Sequence, residues 1–145
     1  MEKSTRICSP NPAFSRTPIV RAKKAVIVGG GTQLSAVIAC ALKLHPEIAG
    51  NIIHGTTRWM VNDTGSDICK IMDSISPDIP LVYVNIDYSK SPYDGLQAYE
   101  WGFIKEGVGC GGSSVACVVA ASGKVTSKDL VGKVHEIYRG IMGYD

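Results

Sequence analysis

The feature that most constrains this fold is a short apolar run that ends in glycines and leads into an amphipathic helix. The run Ala25–Val28 reads AVIV, and the segment Gly29–Gln33 after it begins with three glycines. Branched apolar residues without alternation favour a strand buried on both faces, as in a parallel sheet. The following apolar residues recur at the spacing of one helical face, which predicts a helix that ends near His45. Those residues are Leu34, Val37, Ile38, Ala41 and Leu42.

A second unit of strand and helix follows, and then a third strand. The segment Asn51–Thr57 predicts the second strand, and the helix after it starts at Asp63–Ser66. The apolar face of this helix consists of Ile68, Ile71, Met72 and Ile75. The segment Ile79–Ile86 predicts the third strand. Alternating strands and helices favour a parallel sheet that is wrapped by helices.

Three more helices are predicted after the third strand. The first has Ser91 as its cap and Pro92 in its first turn. The second runs from Gly111, or the glycine after it, to Ala121, and the third starts with a capping-box-like pair, Thr126 and Asp129. The apolar residues expected to face the core are Leu96, Tyr99 and Phe103 on the first helix and Leu130, Val134, Ile137, Tyr138 and Ile141 on the third.

The sequence therefore predicts an α/β fold with three layers, in which a parallel, Rossmann-like sheet is flanked by helices. Residues 23–145 are expected to form one domain, and residues 1–22, which contain three prolines and no periodicity, an extended arm. Three strands make a thin sheet with unpaired edges. We therefore expect that the fold is incomplete as a single chain and is completed by a missing segment or another subunit.

Composition excludes several classes of protein. The 145 residues are 45% hydrophobic and 19% charged, which fits a compact domain rather than a disordered chain. The net charge is +2, and residues 1–24 carry six Lys or Arg against one Glu, but these are scattered and have a single aromatic neighbour, so no nucleic-acid binding is expected. No apolar run is long enough to span a bilayer and no signal peptide is visible, so we expect a cytoplasmic protein without a membrane partner.

The cysteines and histidines do not form a recognisable motif. None of the five cysteines forms a CxxC pair. Cys40, Cys69 and Cys117 fall on predicted apolar helix faces and are expected to be buried, reduced thiols. The three histidines lack metal-ligand spacing, so neither a metal site nor a cofactor is expected.

Polar clusters follow each predicted strand. They are Gly29–Gln33, Thr56–Arg58 and Asp87–Ser91, and a fourth, Glu106–Ser114, precedes a predicted helix. Ligands of open α/β sheets bind beyond the carboxyl ends of the strands, so we expect one small-molecule site there. Helix starts and guanidinium groups favour an anionic ligand. The expected substrate- or phosphate-binding residues are Gly30, Gly31, Thr32, Gln33, Thr56, Thr57, Arg58, Asp87, Lys90, Ser91, Gly107, Gly109 and Gly111.

Simpler explanations compete with a site at these clusters. A tight strand-to-helix turn without a ligand accounts for Gly29–Gln33. A surface ion pair with Asp63 or Asp67 accounts for Arg58. A dinucleotide site is disfavoured, because the glycines do not match GxGxxG and no acidic residue closes a second strand about 20 residues further on.

One carboxylate lies within the glycine-rich run WGFIKEGVGCGGSS, which extends from Trp101 to Ser114. Glu106 is followed by Gly107, Gly109 and Gly111, which let backbone approach a ligand closely. This arrangement suggests a base beside an anion or oxyanion site. The simpler explanation is a glycine-rich turn with Glu106 in solvent.

Three ordered motifs also carry a family resemblance over about residues 25–121. GGGTQLSAVIACAL, GTTRW and NIDYSKSPYDGLQAYEWGFIKEGVGCGGSS resemble the successive blocks of an uncharacterised branch of the family of nicotinate-nucleotide–dimethylbenzimidazole phosphoribosyltransferase. Cys110 stands where that branch usually has Ala. Members of the family are longer, and this chain looks like their carboxyl-terminal portion.

The resemblance implies a transferase of cobamide (vitamin B12) lower-ligand synthesis. It would move phosphoribosyl from nicotinate mononucleotide to a benzimidazole, and Glu106 matches the family's general base. Its partners would be these small molecules and either further copies of the chain or a complementary subunit. The alternative is a non-catalytic subunit of the same fold that binds a nucleotide or anion or serves in assembly.

Overall fold

A parallel three-stranded sheet forms the centre of the fold. The computed structural model describes residues 25–103 and 108–143. Within them the strand order is β1-β2-β3. Strand β1 is Val26–Gly29, β2 is Ile52–Thr57 and β3 is Leu81–Val84. The predicted arm at residues 1–22 lies outside the described residues.

Helices flank this sheet on both faces. Those in the described residues are α1 (Thr32–Leu44), α2 (Arg58–Val61), α3 (Ile68–Ile75), α4 (Asp94–Gln97), α5 (Cys110–Ala120) and α6 (Ser127–Met142), together with a 3-10 helix at Pro46–Asn51. The predicted α/β class, with helices on both sides of a parallel sheet, is confirmed. The predicted capping box of Thr126 and Asp129 is also present at the start of α6.

The sheet separates two apolar clusters because neighbouring strand residues point to opposite faces. On one face, Ile52 and Leu81 pack with Ile38 of α1 and with Ile68 and Met72 of α3. On the other face, the adjacent residues of β2 and β3 pack against α5, which crosses all three strands. Every residue of β2 is buried. The prediction that the AVIV run is buried on both faces was wrong in part, because β1 lies at an edge of the described sheet and Val26 is 56% exposed.

A third apolar cluster lies beyond β3 and fixes α6. Val131, Val134 and Tyr138 of α6 pack against the segment that follows β3. The rings of Tyr93 and Tyr138 lie 4.9 Å apart, centroid to centroid. The predicted packing face of α6 was wrong in part, since Ile137 is 52% exposed. The packing of Tyr138, Val131 and Val134 turns the position of Ile137 towards solvent. Ile141 is exposed for the same reason.

The helix predicted after Ser91 is much shorter than expected. Ser91 does not cap α4, since its hydroxyl accepts a hydrogen bond from Tyr93 N at 3.2 Å and the helix starts later. The chain leaves the helical path at Gly102, whose φ is +75°, and Phe103 N donates to Ala98 O at 3.2 Å. This arrangement ends a helix and leaves Phe103 81% exposed.

The expected cysteine environment was also wrong. Cys40 and Cys117 are free thiols but are exposed. Each lies two positions after a buried residue, Ile38 or Val115, and two positions correspond to about 200° around a helix. Cys69, which was expected to be reduced, is disulfide-bonded.

Candidate functional site

The carboxyl ends of β1 and β2 meet the loop that precedes α5. Gly30 N donates to Gly55 O at 2.9 Å and so joins the two strand ends. A methyl group added to Gly29 would lie 3.1 Å from Gly109 O, and one added to Gly31 would lie 3.5 Å from Val108 Cγ2. We call this meeting point the glycine rim. It brings together two of the clusters predicted to share a site.

The start of α1 at the glycine rim lacks a side-chain cap. Its N-cap residue is Gly31, no side chain accepts a hydrogen bond from the first turn, and that turn holds no acidic residue. Thr32 and Gln33, both predicted to bind substrate, occupy the first turn, and Gln33 is exposed. Unsatisfied N–H groups at a helix start, together with the helix dipole, favour an anion.

The glycines at the start of α5 have a packing function. A methyl group on Gly111 would overlap the carbonyl carbon and oxygen of Thr56, and one on Gly112 would overlap Gly29 Cα. A methyl group on Gly55 would lie 2.7 Å from Gly112 Cα. Gly111 and Gly112 are buried, so their lack of a side chain lets α5 approach the sheet backbone. Of the predicted glycines of this run, Gly109 is exposed at the rim.

The two predicted threonine ligands lie inside the fold. Thr57 is 3% exposed, and its hydroxyl accepts a hydrogen bond from Met60 N at 3.4 Å as the cap of α2. Thr56 is fully buried, and its Oγ1 has no hydrogen-bond partner among the described residues. Neither hydroxyl is at the surface of the rim.

His54 of β2 supports the rim from beneath. It is fully buried, and its Nε2 lies 3.2 Å from Gly30 O. Burial lowers the pKa of His54, although the hydrogen bond to Gly30 opposes this shift. The neutral ring therefore donates from Nε2 to the carbonyl oxygen, which leaves Nδ1 without a partner in the described part of the chain.

Arg58 is bound by two carboxylates. One guanidinium nitrogen pairs with Glu100 Oε2, and another lies 3.6 Å from Asp87 Oδ2. Glu100 Oε1 also accepts a hydrogen bond from Tyr88 N at 2.8 Å. The guanidinium thus connects the end of β2 to the segment after β3. An ion pair accounts for the position of Arg58, but its partners are not the two aspartates that the sequence suggested.

In the cluster after β3, Asp87 and Lys90 are exposed to solvent, whereas Ser91 is buried in a turn. Asp87 is exposed, and hydrogen bonds from the hydroxyl and N–H of Ser89 lower its pKa, with a further contribution from Arg58. Lys90 is exposed near Asp87. Ser91 is 4% exposed and serves the turn, since its carbonyl oxygen accepts a hydrogen bond from Gln97 Nε2 at 2.7 Å.

Two predicted site residues, Glu106 and Gly107, lie outside the described residues. Val108, two positions after Glu106 in the sequence, packs at the glycine rim. In the described ranges, no three His, Cys, Asp or Glu side chains form a group that could hold a metal ion. None of the helices described is both long enough and apolar enough to cross a bilayer.

Sequence reasoning missed His54 and Glu100. A histidine inside a strand of a parallel sheet that helices wrap is expected to be buried, and NIIHGTT contained this signal. Glu100 stands among aromatic residues in YEWGF, where a carboxylate needs a partner. The identity of that partner, 42 residues earlier in the chain, has no local signal.

Proteins similar to this chain include three from archaea, each named UPF0284 protein. The one from Sulfolobus acidocaldarius is 41% identical over 116 residues, which are 80% of this chain and 33% of the relative. The one from Sulfurisphaera tokodaii is 38% identical over 119 residues, or 82% of the chain and 33% of the relative. The one from Metallosphaera sedula is 38% identical over 116 residues, or 80% of the chain and 32% of the relative.

No protein-family model matches the chain. The relatives' name describes no activity, so it does not decide between the functions considered for this sequence. The similarity covers most of this chain, but the chain spans only about one third of the length of the curated relatives it matches.

Proposed function

We propose that this chain is part of a phosphoribosyltransferase of cobamide lower-ligand synthesis. It would transfer phosphoribosyl from nicotinate mononucleotide to a benzimidazole, with Glu106 as general base. The proposal includes a cytoplasmic location, and assembly with further copies of the chain or with a complementary subunit. The family resemblance motivates the reaction, and the glycine rim supports the placement of a ligand.

The observation that carries the proposal is the meeting of Val108 and Gly109 with the glycines after β1. The motif containing Glu106 and the motif containing Gly30 and Gly31 are about 75 residues apart in sequence. The contacts at Gly29 and Gly31 bring the end of the first motif to the uncapped start of α1. A base and an anion-binding helix start close together are what this transfer requires.

The chemistry assigns one task to the carboxylate. A benzimidazole nitrogen forms a bond to the anomeric carbon while the bond from that carbon to nicotinate breaks, and the bonding electron pair returns to the pyridinium ring. The second benzimidazole nitrogen then carries a proton that must leave. Glu106 would accept it, and the N–H groups of Thr32 and Gln33 would hold the phosphate.

The test is nicotinate release from nicotinate mononucleotide in the presence of 5,6-dimethylbenzimidazole. It is run with the chain alone and with a polypeptide comprising the part of the Sulfolobus acidocaldarius relative that the chain does not match. We expect release in at least one mixture, and loss of about 100-fold or more in Glu106→Gln without loss of folding. Absence of release from both mixtures contradicts the proposal, and unchanged turnover in the variant removes Glu106 from the mechanism.

The binding of Arg58 by Glu100 and Asp87 favours a second candidate, a non-catalytic subunit that binds an anion or serves in assembly. An arginine that two carboxylates already neutralise has little charge left for a substrate phosphate. Calorimetry with nicotinate mononucleotide distinguishes the two functions. Binding without turnover in either mixture supports the second.

A further inference from the structure

A groove lies between the segment after β3 and the first half of α6. Its volume is about 390 Å³, which falls within the range of about 300–1,000 Å³ for small-molecule sites. One wall carries Asp87, Ser89 and Lys90, and the α6 wall carries Lys128 and His135. The remaining lining residues are Asn85, Ser127, Val131 and Gly132.

The charge of this groove is positive. Asp87, the acidic residue in the lining, is paired with Arg58, which in turn is paired with Glu100. Within the described residues, Lys90 and Lys128 form no ion pair, and three cations and two carboxylates give this network a net charge of +1. Lys90 interacts electrostatically with Asp87 without forming an ion pair, so an anion placed between the two lysines would meet charges that are only partly neutralised.

His135 contributes a polar atom that lacks a partner. Its Nε2 is buried and makes no hydrogen bond to any described residue. The ring is held by aromatic neighbours: it packs edge-on against Tyr93, with centroids 5.7 Å apart, and lies 6.3 Å from the ring of Tyr88. A buried polar atom without a partner is costly, and a turn of the ring that brings Nε2 to the groove would let an oxyanion or its hydroxyl satisfy it.

We propose that this groove binds the phosphate group of a small phosphorylated molecule, with Lys90 and Lys128 supplying charge and His135 a hydrogen bond. This binding role of α6 goes beyond the proposed function. Its test does not depend on phosphoribosyl transfer, because binding can be measured without turnover. It also gives α6 a function besides covering the aromatic residues after β3.

Binding is tested by amide chemical-shift titration of the whole chain with inorganic phosphate and with ribose 5-phosphate. Ribose tests for a sugar site and acetate for a general carboxylate site. We expect saturable shifts at residues 85–90 and 127–135 with both phosphates, and none there with ribose or acetate. A lower dissociation constant for ribose 5-phosphate than for inorganic phosphate indicates a phosphorylated metabolite as the ligand rather than free phosphate.

Matched lysines on α6 provide the control. Lys128→Gln should raise the dissociation constant about fivefold, and Lys90→Gln should do the same. Lys133→Gln, which removes an exposed lysine paired with Glu136 on the same helix, should change it less than twofold. His135→Gln should weaken binding while the melting curve shows a folded protein.

Three outcomes overturn the proposal. They are the absence of saturable shifts, shifts confined to the start of α1, and equal effects of Lys128→Gln and Lys133→Gln. None of them bears on nicotinate release, so the failure of this proposal and the failure of the proposed reaction are distinguishable.

Discussion

Gly111 packs directly against the backbone of Thr56, so the first turn of α5 touches β2 without an intervening side chain. Gly111→Ala would place a methyl group on the carbonyl of Thr56, and backbone cannot move aside as a flexible side chain can. We expect the free energy of unfolding to fall by about 3 kcal/mol or more. Urea denaturation of the wild type and the variant measures this change.

The matched control for that substitution is Gly140→Ala. Gly140 lies in α6, is exposed, and has open space where the methyl group would be added. We expect a gain in stability of up to about 1 kcal/mol from the better helix propensity of Ala. Equal effects of the two substitutions would show that the contact between Gly111 and Thr56 does not set the position of α5.

The ion pair of Arg58 and Glu100 should contribute measurably to stability. Their side chains are 19% and 17% exposed, so solvent screens the pair only in part. Glu100→Gln should lower the free energy of unfolding by about 2 kcal/mol, because the guanidinium and Tyr88 N then lose a charged partner. A double-mutant cycle with Arg58→Met isolates the coupling between the two residues.

The exposed pair of His45 and Glu47 serves as the control. Its side chains are 68% and 70% exposed, so Glu47→Gln should change stability by less than about 0.5 kcal/mol. A coupling of Arg58 and Glu100 that is no larger than this would mean that the pair adds nothing to the junction between β2 and the segment after β3.

Acidification should destabilise the fold through His54. Burial keeps its pKa in the folded state below the ordinary value, which is about 6.5. The unfolded chain therefore binds more protons below that pH, and stability falls as the pH drops through about 6.5 towards the lower pKa of the folded state. The slope is at most about 1.4 kcal/mol per pH unit.

Urea denaturation between pH 7.5 and 5 measures this slope. Some carboxyl groups, such as Asp87 and Asp129, have pKa values that are lowered in the fold from an ordinary value of 3.8. Their contributions to stability are lost only below this pH range. The slope should be absent in His54→Asn and unchanged in His45→Gln. A wild-type protein whose stability is constant over this range would contradict a neutral, buried His54.

The capping box of α6 should stabilise the helix that forms one wall of the groove. The Thr126 side chain accepts a hydrogen bond from Asp129 N at 3.3 Å. Thr126→Ala should lower the free energy of unfolding by about 1 kcal/mol. Thr126→Ser retains the hydroxyl and should therefore preserve most of the stabilisation by the cap. Denaturation followed by far-ultraviolet circular dichroism compares the two variants, and equal losses would contradict the cap.

Local patterns were sufficient to predict the strands and most helices. The AVIV run, the spacing of Ile68 and Met72, and the pair of Thr126 and Asp129 each act over a few residues, so the sequence displays them directly. Even so, β3 is shorter than its apolar run, because strand pairing and not apolar character determines where a strand ends.

The features that were not predicted depend on contacts between distant segments. The rotation of α6 is set by Tyr93, and the partners of Arg58 lie well beyond it in the sequence. The glycine-rich run suggested a ligand loop, yet Gly111 is needed for packing against a strand more than 50 residues earlier. The candidate site was predicted as a set of clusters, but the division between the glycine rim and the groove at α6 required the fold.

In the sheet of the described residues, β2 is hydrogen-bonded on both sides, and all six of its residues are buried. The glycine rim is therefore attached to the part of the fold that should resist amide hydrogen exchange longest. A ligand that binds beside a segment already held in one conformation loses little of its binding free energy to ordering the protein. Much of the conformational entropy of forming a site at the rim is thus lost when the chain folds rather than when the ligand arrives.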